Sequence, residues 1–133
     1  MNIQPYIRYE EGDILSLYRA VGWSNYYKNP EMLRKAFANS LCILGAYEED
    51  RLIGLIRAVG DGYSSVLIQD ILVHPDYQRR GIGSALMQEM IRRYDHVYQI
   101  QLTTDNTEKT KAFYRSQGFR TMEELGCCGF MKT

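Results

Sequence analysis

Gln78-Arg79-Arg80-Gly81-Ile82-Gly83 places arginines and glycines where an apolar strand gives way to a helix. The strand ends at Ile71-Leu72-Val73, and Pro75, which has no N–H to donate, forbids its continuation. Beyond the turn, Ile82, Ala85, Leu86 and Met90 recur at helical spacing. Glycine at 81 and 83 lets a ligand approach the backbone with no Cβ in its path. The first N–H groups of a helix lack internal partners, and the helix dipole adds positive potential there. Arg79 and Arg80 supply local charge in a chain whose 16 basic residues balance 16 acidic ones. The chemistry this pattern predicts is capture of a phosphorylated ligand.

Three phosphate-binding motifs compete for the segment. A Walker loop needs Gly-Lys-Ser/Thr, and here Ser84 follows Gly83 with no lysine. A dinucleotide fingerprint needs a third glycine where Leu86 stands, and it should follow its strand almost at once. The third fits. Gln78 to Gly83 resembles the acetyl-CoA signature of the GNAT N-acetyltransferase superfamily, Gln/Arg-x-x-Gly-x-Gly/Ala after a strand ending in Val-x-Pro. Further on, Asn106 followed by Phe113-Tyr114-Arg115-Ser116-Gln117-Gly118-Phe119 is similar to that family's later motif, Asn … Phe-Tyr-x-x-x-Gly-Phe. Two motifs in the right order are far more specific than either alone, since a Phe-Tyr pair by itself is more often core than catalytic.

The resemblance implies a fold, a cosubstrate and a set of roles. It implies that Gln78, Arg79, Arg80, Gly81, Ile82, Gly83 and Ser84 seat the diphosphate of acetyl-CoA. It gives the pantetheine arm to the backbone of Ile71, Leu72 and Val73 and to Asn106, and the oxyanion to an N–H at Leu72 or Val73. Tyr114 would protonate the departing thiolate as an amine attacks the thioester directly. Many relatives carry Glu on this strand where Gln69 stands, and Gln69 is no useful base. Asp70 is its neighbour, and in a regular strand the two face opposite sides. Asp70 is therefore either the group that binds or deprotonates the amine, or a structural carboxylate satisfied by backbone donors. His74, at the strand end, is a lesser base candidate, and His96 is expected at the surface.

An acceptor pocket is expected from the first helices and their connection. Trp23, Tyr26 and Tyr27 crowd a short polar loop, where stacking or cation–π contacts would suit an amine; the alternative is a loop folded over its own aromatics. Glu31 offers an anionic handle but is also explained as an acid in a helix's first turn.

The elements that must position these groups alternate along the chain. The pattern predicts a strand at 3–9, a helix capped by Asp13 and stopped by Gly22, and a second helix opening at Asn29-Pro30-Glu31. Strands follow at 41–47, 51–59 and 66–73, then a helix to about Tyr94, a strand at 97–102, a helix from 107 to 117 closed by Gly118, and a final strand pair broken near Gly126. The expected fold is a single α/β (α+β) domain over residues 1–133, with a mixed parallel and antiparallel central sheet flanked by helices, the GNAT fold.

A length of 133 residues and a balanced charge leave no overall field to attract nucleic acid or an anionic membrane. No apolar run approaches the roughly 20 residues that span a bilayer. Cys42, Cys127 and Cys128 are odd in number and suit a reducing cytoplasm, and they lack zinc-site spacing, so no metal is expected. The expected activity is transfer of acetyl from acetyl-CoA to a small-molecule or peptide amine, with a homodimer left open. The alternatives are a non-catalytic acyl-CoA-binding or regulatory module and a nucleotide-binding α/β protein.

Overall fold

A computed structural model describes residues 1–133, which divide into two compact units, Met1–Thr103 and Thr104–Thr133. The first holds the whole sheet. Its elements are β1 (Asn2–Pro5), α1 (Glu11–Ala20), α2 (Ser24–Tyr27), α3 (Pro30–Ala38), β2 (Cys42–Glu48), β3 (Arg51–Gly60), β4 (Ser65–Val73), α4 (Ile82–Arg93) and β5 (Gln99–Leu102), with a 3₁₀ turn at Pro75–Tyr77. The five strands lie in chain order, antiparallel from β1 to β4, with β5 parallel to β4. The mixed sheet expected from the strand–helix–strand segment is present.

Side-chain alternation assigns the two faces. Leu55 and Leu72 pack with Ile14, Leu17 and Tyr18 of α1 and Leu33 and Phe37 of α3. Their strand neighbours face α4. A Cβ on Gly54 would stand 3.3 Å from Ile82 and 3.4 Å from Leu86, so the absent side chain lets α4 lie close to the sheet. Leu86, Met87 and Met90 are fully buried on that side. Burying each such side chain stabilises the fold by roughly 1.5–3 kcal/mol.

Several boundaries differ from those the pattern predicts. β1 stops at Pro5 because Tyr6 turns into the core, where its hydroxyl accepts from the Glu10 N–H (2.9 Å) and caps the start of α1. Asp13 is accordingly not the cap; it lies inside the first turn, where an acid still favours the helix dipole. The loop holding Trp23, Tyr26 and Tyr27 winds into the one-turn α2.

The second unit contains α5 (Glu108–Ser116). Thr107 caps it, accepting from the Thr110 N–H at 3.2 Å. The expected strand pair after Phe119 is absent. Residues 121–127 curl into a turn instead, with the Cys127 N–H bonded to Met122 O (2.7 Å), Gly126 in the left-handed region and Glu124 tied to Thr121 and Arg115. Local hydrogen bonds there satisfy the backbone that a ladder would otherwise have to satisfy.

Candidate active site

The glycine turn opens α4 with exposed backbone and no side chain at its cap. Gly81 is the N-cap of α4 at φ 79°, and nothing lies within 4 Å of where its Cβ would stand. The first hydrogen bond of the helix runs from the Ala85 N–H to Gly81 O (3.0 Å), which leaves the N–H groups of Ile82 and Gly83 unused by the helix. The exposed Gln78 donates its amide to Val73 O (3.0 Å) and so ties the turn to the end of β4. Arg79 takes a left-handed backbone at φ 65°, which costs a non-glycine residue on the order of 1 kcal/mol. The guanidinium of Arg80 lies over the Tyr77 ring, 5.2 Å from its centroid. Ser84 occupies the first turn of α4.

A second basic group reaches this turn from a distant part of the chain. Arg51, the first residue of β3, lies over the same Tyr77 ring at 5.5 Å and has its Nη2 3.3 Å from His74 Nε2. Neither Arg51 nor Tyr77 belongs to a motif. The sheet register brings them in: Gly54 pairs with Val73, so Arg51, three residues earlier, comes level with the chain three residues beyond Val73.

Before Ile71, β4 is not a regular strand. Arg57 pairs with Asp70 but the next residue, Ala58, pairs with Ile68, so Gln69 is the extra residue of a β-bulge. This corrects the expectation that Gln69 and Asp70 face opposite sides. Gln69 Nε2 donates to the Tyr26 hydroxyl (3.4 Å), while Asp70 accepts from Tyr18 (2.9 Å), and the two tyrosine rings are 5.3 Å apart. Ile71, Leu72 and Val73 continue β4 beyond the bulge, with Leu72 buried in the α1–α3 core.

Asp70 is 2% exposed and Arg57 4%, and Arg57 Nε donates to Asp70 Oδ2 at 2.7 Å. Arg57 also donates to Ser40 Oγ (3.1 Å) and lies over Phe37. The carboxylate thus has its donors, and they are side chains rather than the backbone groups expected. Burial, and then the charge of Asp70, push the Tyr18 phenol far above its ordinary value. Burial also raises Tyr26.

Trp23, Tyr26 and Tyr27 are half-buried against the α1–α3 core. Trp23 and Tyr26 sit 5.9 and 5.3 Å from the Tyr18 ring, and Arg19 lies over Tyr27 at 5.1 Å. These aromatics form one wall, packed inward on one side and solvent-facing on the other. His74 takes a structural part, accepting from the Asp76 N–H at 3.1 Å, and His96 is exposed beside Asp95. Glu31 is exposed and paired with Lys35, one turn along α3.

In the second unit, Tyr114 is half-buried on α5, with Phe113 and Phe119 at 5.0 and 6.1 Å. Gly118, at φ 97°, lets Phe119 fold back, and the Phe119 N–H bonds to Tyr114 O (3.0 Å). Burial raises the Tyr114 phenol above its ordinary value, against a hydrogen bond from Thr104 that lowers it. Asn106 is exposed just before the helix. No group of three or more His, Cys, Asp or Glu side chains is arranged to hold a metal ion, and no helix is long and apolar enough to cross a membrane.

Comparison with known proteins gives a consistent family. Residues 39–121 match the acetyltransferase (GNAT) domain. An uncharacterised ycf52-like N-acetyltransferase of Prochlorococcus marinus is 32% identical over 124 residues, 89% of this chain and 67% of its own length. The chain spans 61% and 52% of the lengths of two further curated relatives, so these proteins are longer than the part matched here. Among solved structures, a GNAT-family acetyltransferase from Streptococcus pneumoniae is 45% identical with a TM-score of 0.91, over 99% of this chain and 96% of that one. The PaiA N-acetyltransferase of Thermoplasma acidophilum, solved with coenzyme A, shares the fold at 17% identity, with a TM-score of 0.70 over 90% of this chain and 91% of that one.

Proposed function

The chain belongs to the GNAT acetyltransferase family, and from that premise we propose that it moves an acetyl group from acetyl-CoA to a primary amine of a small molecule or peptide. The observation that carries the reading is the α4 N-terminus. Gly81 leaves its surroundings open, two backbone N–H groups are unused by the helix, and Arg79 and Arg80 have no acidic partner within ion-pair distance. A diphosphate answers all three features. The reading takes residues 1–133 as one GNAT domain and places it in a reducing compartment such as the cytoplasm, which three free thiols suit.

In the proposed reaction the amine nitrogen attacks the thioester carbon, a C–N bond forms, and the C–S bond breaks as the tetrahedral oxyanion collapses. A backbone N–H at Leu72 or Val73 is assigned to the oxyanion. Tyr114 is assigned the thiolate. A phenol is protonated at neutral pH, and burial raises this one further, so it can hydrogen-bond the sulfur as charge develops and pass on its proton. Asp70, held by Arg57 and Tyr18, is assigned to positioning, and the amine loses its proton to solvent. The aromatic wall of Trp23, Tyr26 and Tyr27 is assigned to the acceptor.

One observation favours the non-catalytic alternative: the carboxylate next to the bulge is buried in an ion pair, and Gln69 takes the exposed place. The two readings separate in one experiment. Thermal stabilisation by CoA is expected under both, and release of CoA thiol from acetyl-CoA with at least one member of an amine panel only under the first. Tyr114→Phe is expected to lower kcat by about 10²-fold or more while CoA affinity stays. Full activity in that variant would remove Tyr114 from the reaction, and the absence of any CoA stabilisation would end both readings.

A further inference from the structure

The group formed by Arg51, His74, Tyr77 and Arg80 stands beside the glycine turn, and only Arg80 of the four belongs to its motif. Its hydrogen-bond arithmetic is unusual. His74 Nδ1 accepts the Asp76 N–H at 3.1 Å, so in neutral imidazole the proton must sit on Nε2. Protonated imidazole carries a proton on Nε2 as well. In either state Nε2–H is a donor, and it faces the Arg51 guanidinium, itself only a donor, at 3.3 Å. Two donors at this distance cannot satisfy one another; they can both point at one acceptor. Arg80 brings a second guanidinium to the ring that Arg51 covers. Elsewhere in the first unit, Arg8, Arg57, Arg92 and Arg93 have carboxylate partners, whereas Arg19 lies singly over Tyr27. Arg51 and Arg80 face an aromatic ring instead, and the one acid at the turn, Asp76, lies on the Nδ1 side of His74.

Converging donors with a surplus of positive charge call for a dianion. The N-terminus of α4 is a separate anion site, already matched to a diphosphate. A ligand carrying a diphosphate and, a few bonds away, a phosphate monoester on the same nucleoside would engage both. We propose that Arg51, with His74 Nε2–H and Arg80, binds the ribose 3′-phosphate of coenzyme A, and that this group makes the protein select CoA over its dephospho form. The proposal rests on the CoA reading above and adds to it a site that the motif reaches only through Arg80, which would lie between the two phosphate groups. Arg51 is the decisive residue, because it is delivered by β3 and belongs to neither the turn nor α4.

The test is equilibrium binding of CoA and of 3′-dephospho-CoA to the full chain by calorimetry, which needs no acceptor. Wild-type protein should bind CoA about tenfold more tightly than dephospho-CoA, the scale of one charge-assisted contact. Arg51→Ala and Arg51→Gln should each abolish that preference by weakening CoA while leaving dephospho-CoA unchanged. Because Arg51 is an exposed strand-end residue, thermal melting should stay near wild type. Equal affinity of the wild type for the two ligands would overturn the inference and leave the CoA reading standing. So would a loss of both affinities in parallel on removing Arg51, which would assign Arg51 to the diphosphate. If neither ligand binds the wild type, the CoA reading fails, and this inference with it.

Discussion

Two arginine–tyrosine clusters lie in the first unit and are built on opposite terms. Around Asp70 the guanidinium of Arg57 meets a carboxylate at 2.7 Å, a tyrosine hydroxyl completes the shell, and the pair is almost wholly buried. Around Tyr77 two guanidinium groups meet only a ring and a histidine N–H. The first cluster contains its own counter-charge and leaves none of its donors seeking one. The second has donors left over. Closed charge of this kind maintains a structure, here the bulge at Gln69 and the aromatic wall beside it. Open charge at the surface contributes little to stability and stays available to an anion.

Opening the closed cluster gives the largest expected effect. Asp70→Ala leaves Arg57 buried and unpaired and should lower the unfolding free energy by about 3–5 kcal/mol, read from urea titration. Replacing both partners, Asp70→Leu with Arg57→Met, should recover a large part of that loss because no uncompensated charge remains. If the single variant is as stable as wild type, the network is not what holds the bulge.

Alkali attacks the tyrosines of this cluster, and Tyr6 in the core beside it, without mutation. Burial raises Tyr18 and Tyr26 and pushes Tyr6 up to about 12, from an ordinary 10.0. Below pH 10 both the folded and the unfolded chain keep these protons, so their contribution is full. Above it the unfolded chain loses them first, binds fewer protons than the native state, and is favoured. Each such phenol then removes about 1.4 kcal/mol per pH unit until its folded pKa is reached. The urea midpoint should be flat from pH 7 to 8, begin to fall near 9 as the unfolded chain loses the proton of Cys42, whose thiol burial raises, and fall steeply above 10. A midpoint still flat at pH 11 would contradict the burial of these hydroxyls.

Gly81→Val addresses the cradle next to the open cluster. The left-handed backbone should cost about 1–2 kcal/mol of stability, and the new side chain stands in open space rather than against protein. CoA affinity should fall by about tenfold or more, 1.4 kcal/mol or greater. An unchanged affinity would move the diphosphate away from α4.

The open cluster's neighbourhood was half legible in the sequence and the closed cluster hardly at all. The turn from Gln78 to Gly83 and the Phe-Tyr-x-x-x-Gly-Phe helix end announce themselves because their backbone geometry demands glycine at fixed places, and Gly81 and Gly118 do take positive φ. Most element types follow from apolar periodicity. The bulge at Gln69 left no local mark: it is a register shift between β3 and β4, decided by how Arg57 and Asp70 meet across the sheet. Tyr18 reads as one more apolar helix position, although its hydroxyl closes the Asp70 shell. Arg51 reads as a hairpin charge until the register carries it to Tyr77. The strand pair expected after Phe119 gives way to a turn whose bonds lie between residues three to five apart. What escaped the sequence was pairing across the sheet and local hydrogen bonding strong enough to replace a ladder.

Arg80→Ala should show the smallest effect on stability and so makes the sharpest contrast with Asp70→Ala. An exposed cation–π contact is worth about 0.5–1 kcal/mol. Removing this one also relieves repulsion from Arg51 over the same ring and from Arg79 next along the chain. The two contributions oppose each other, so the unfolding free energy should change by less than about 0.5 kcal/mol. CoA affinity should fall at low ionic strength and fall less at 0.5 M salt, because an exposed guanidinium acts on a phosphate through a screened field. A loss of stability approaching that of Asp70→Ala, with CoA affinity intact, would make the Tyr77 cluster a second structural network, and the contrast between closed and open charge would no longer separate fold from function in this protein.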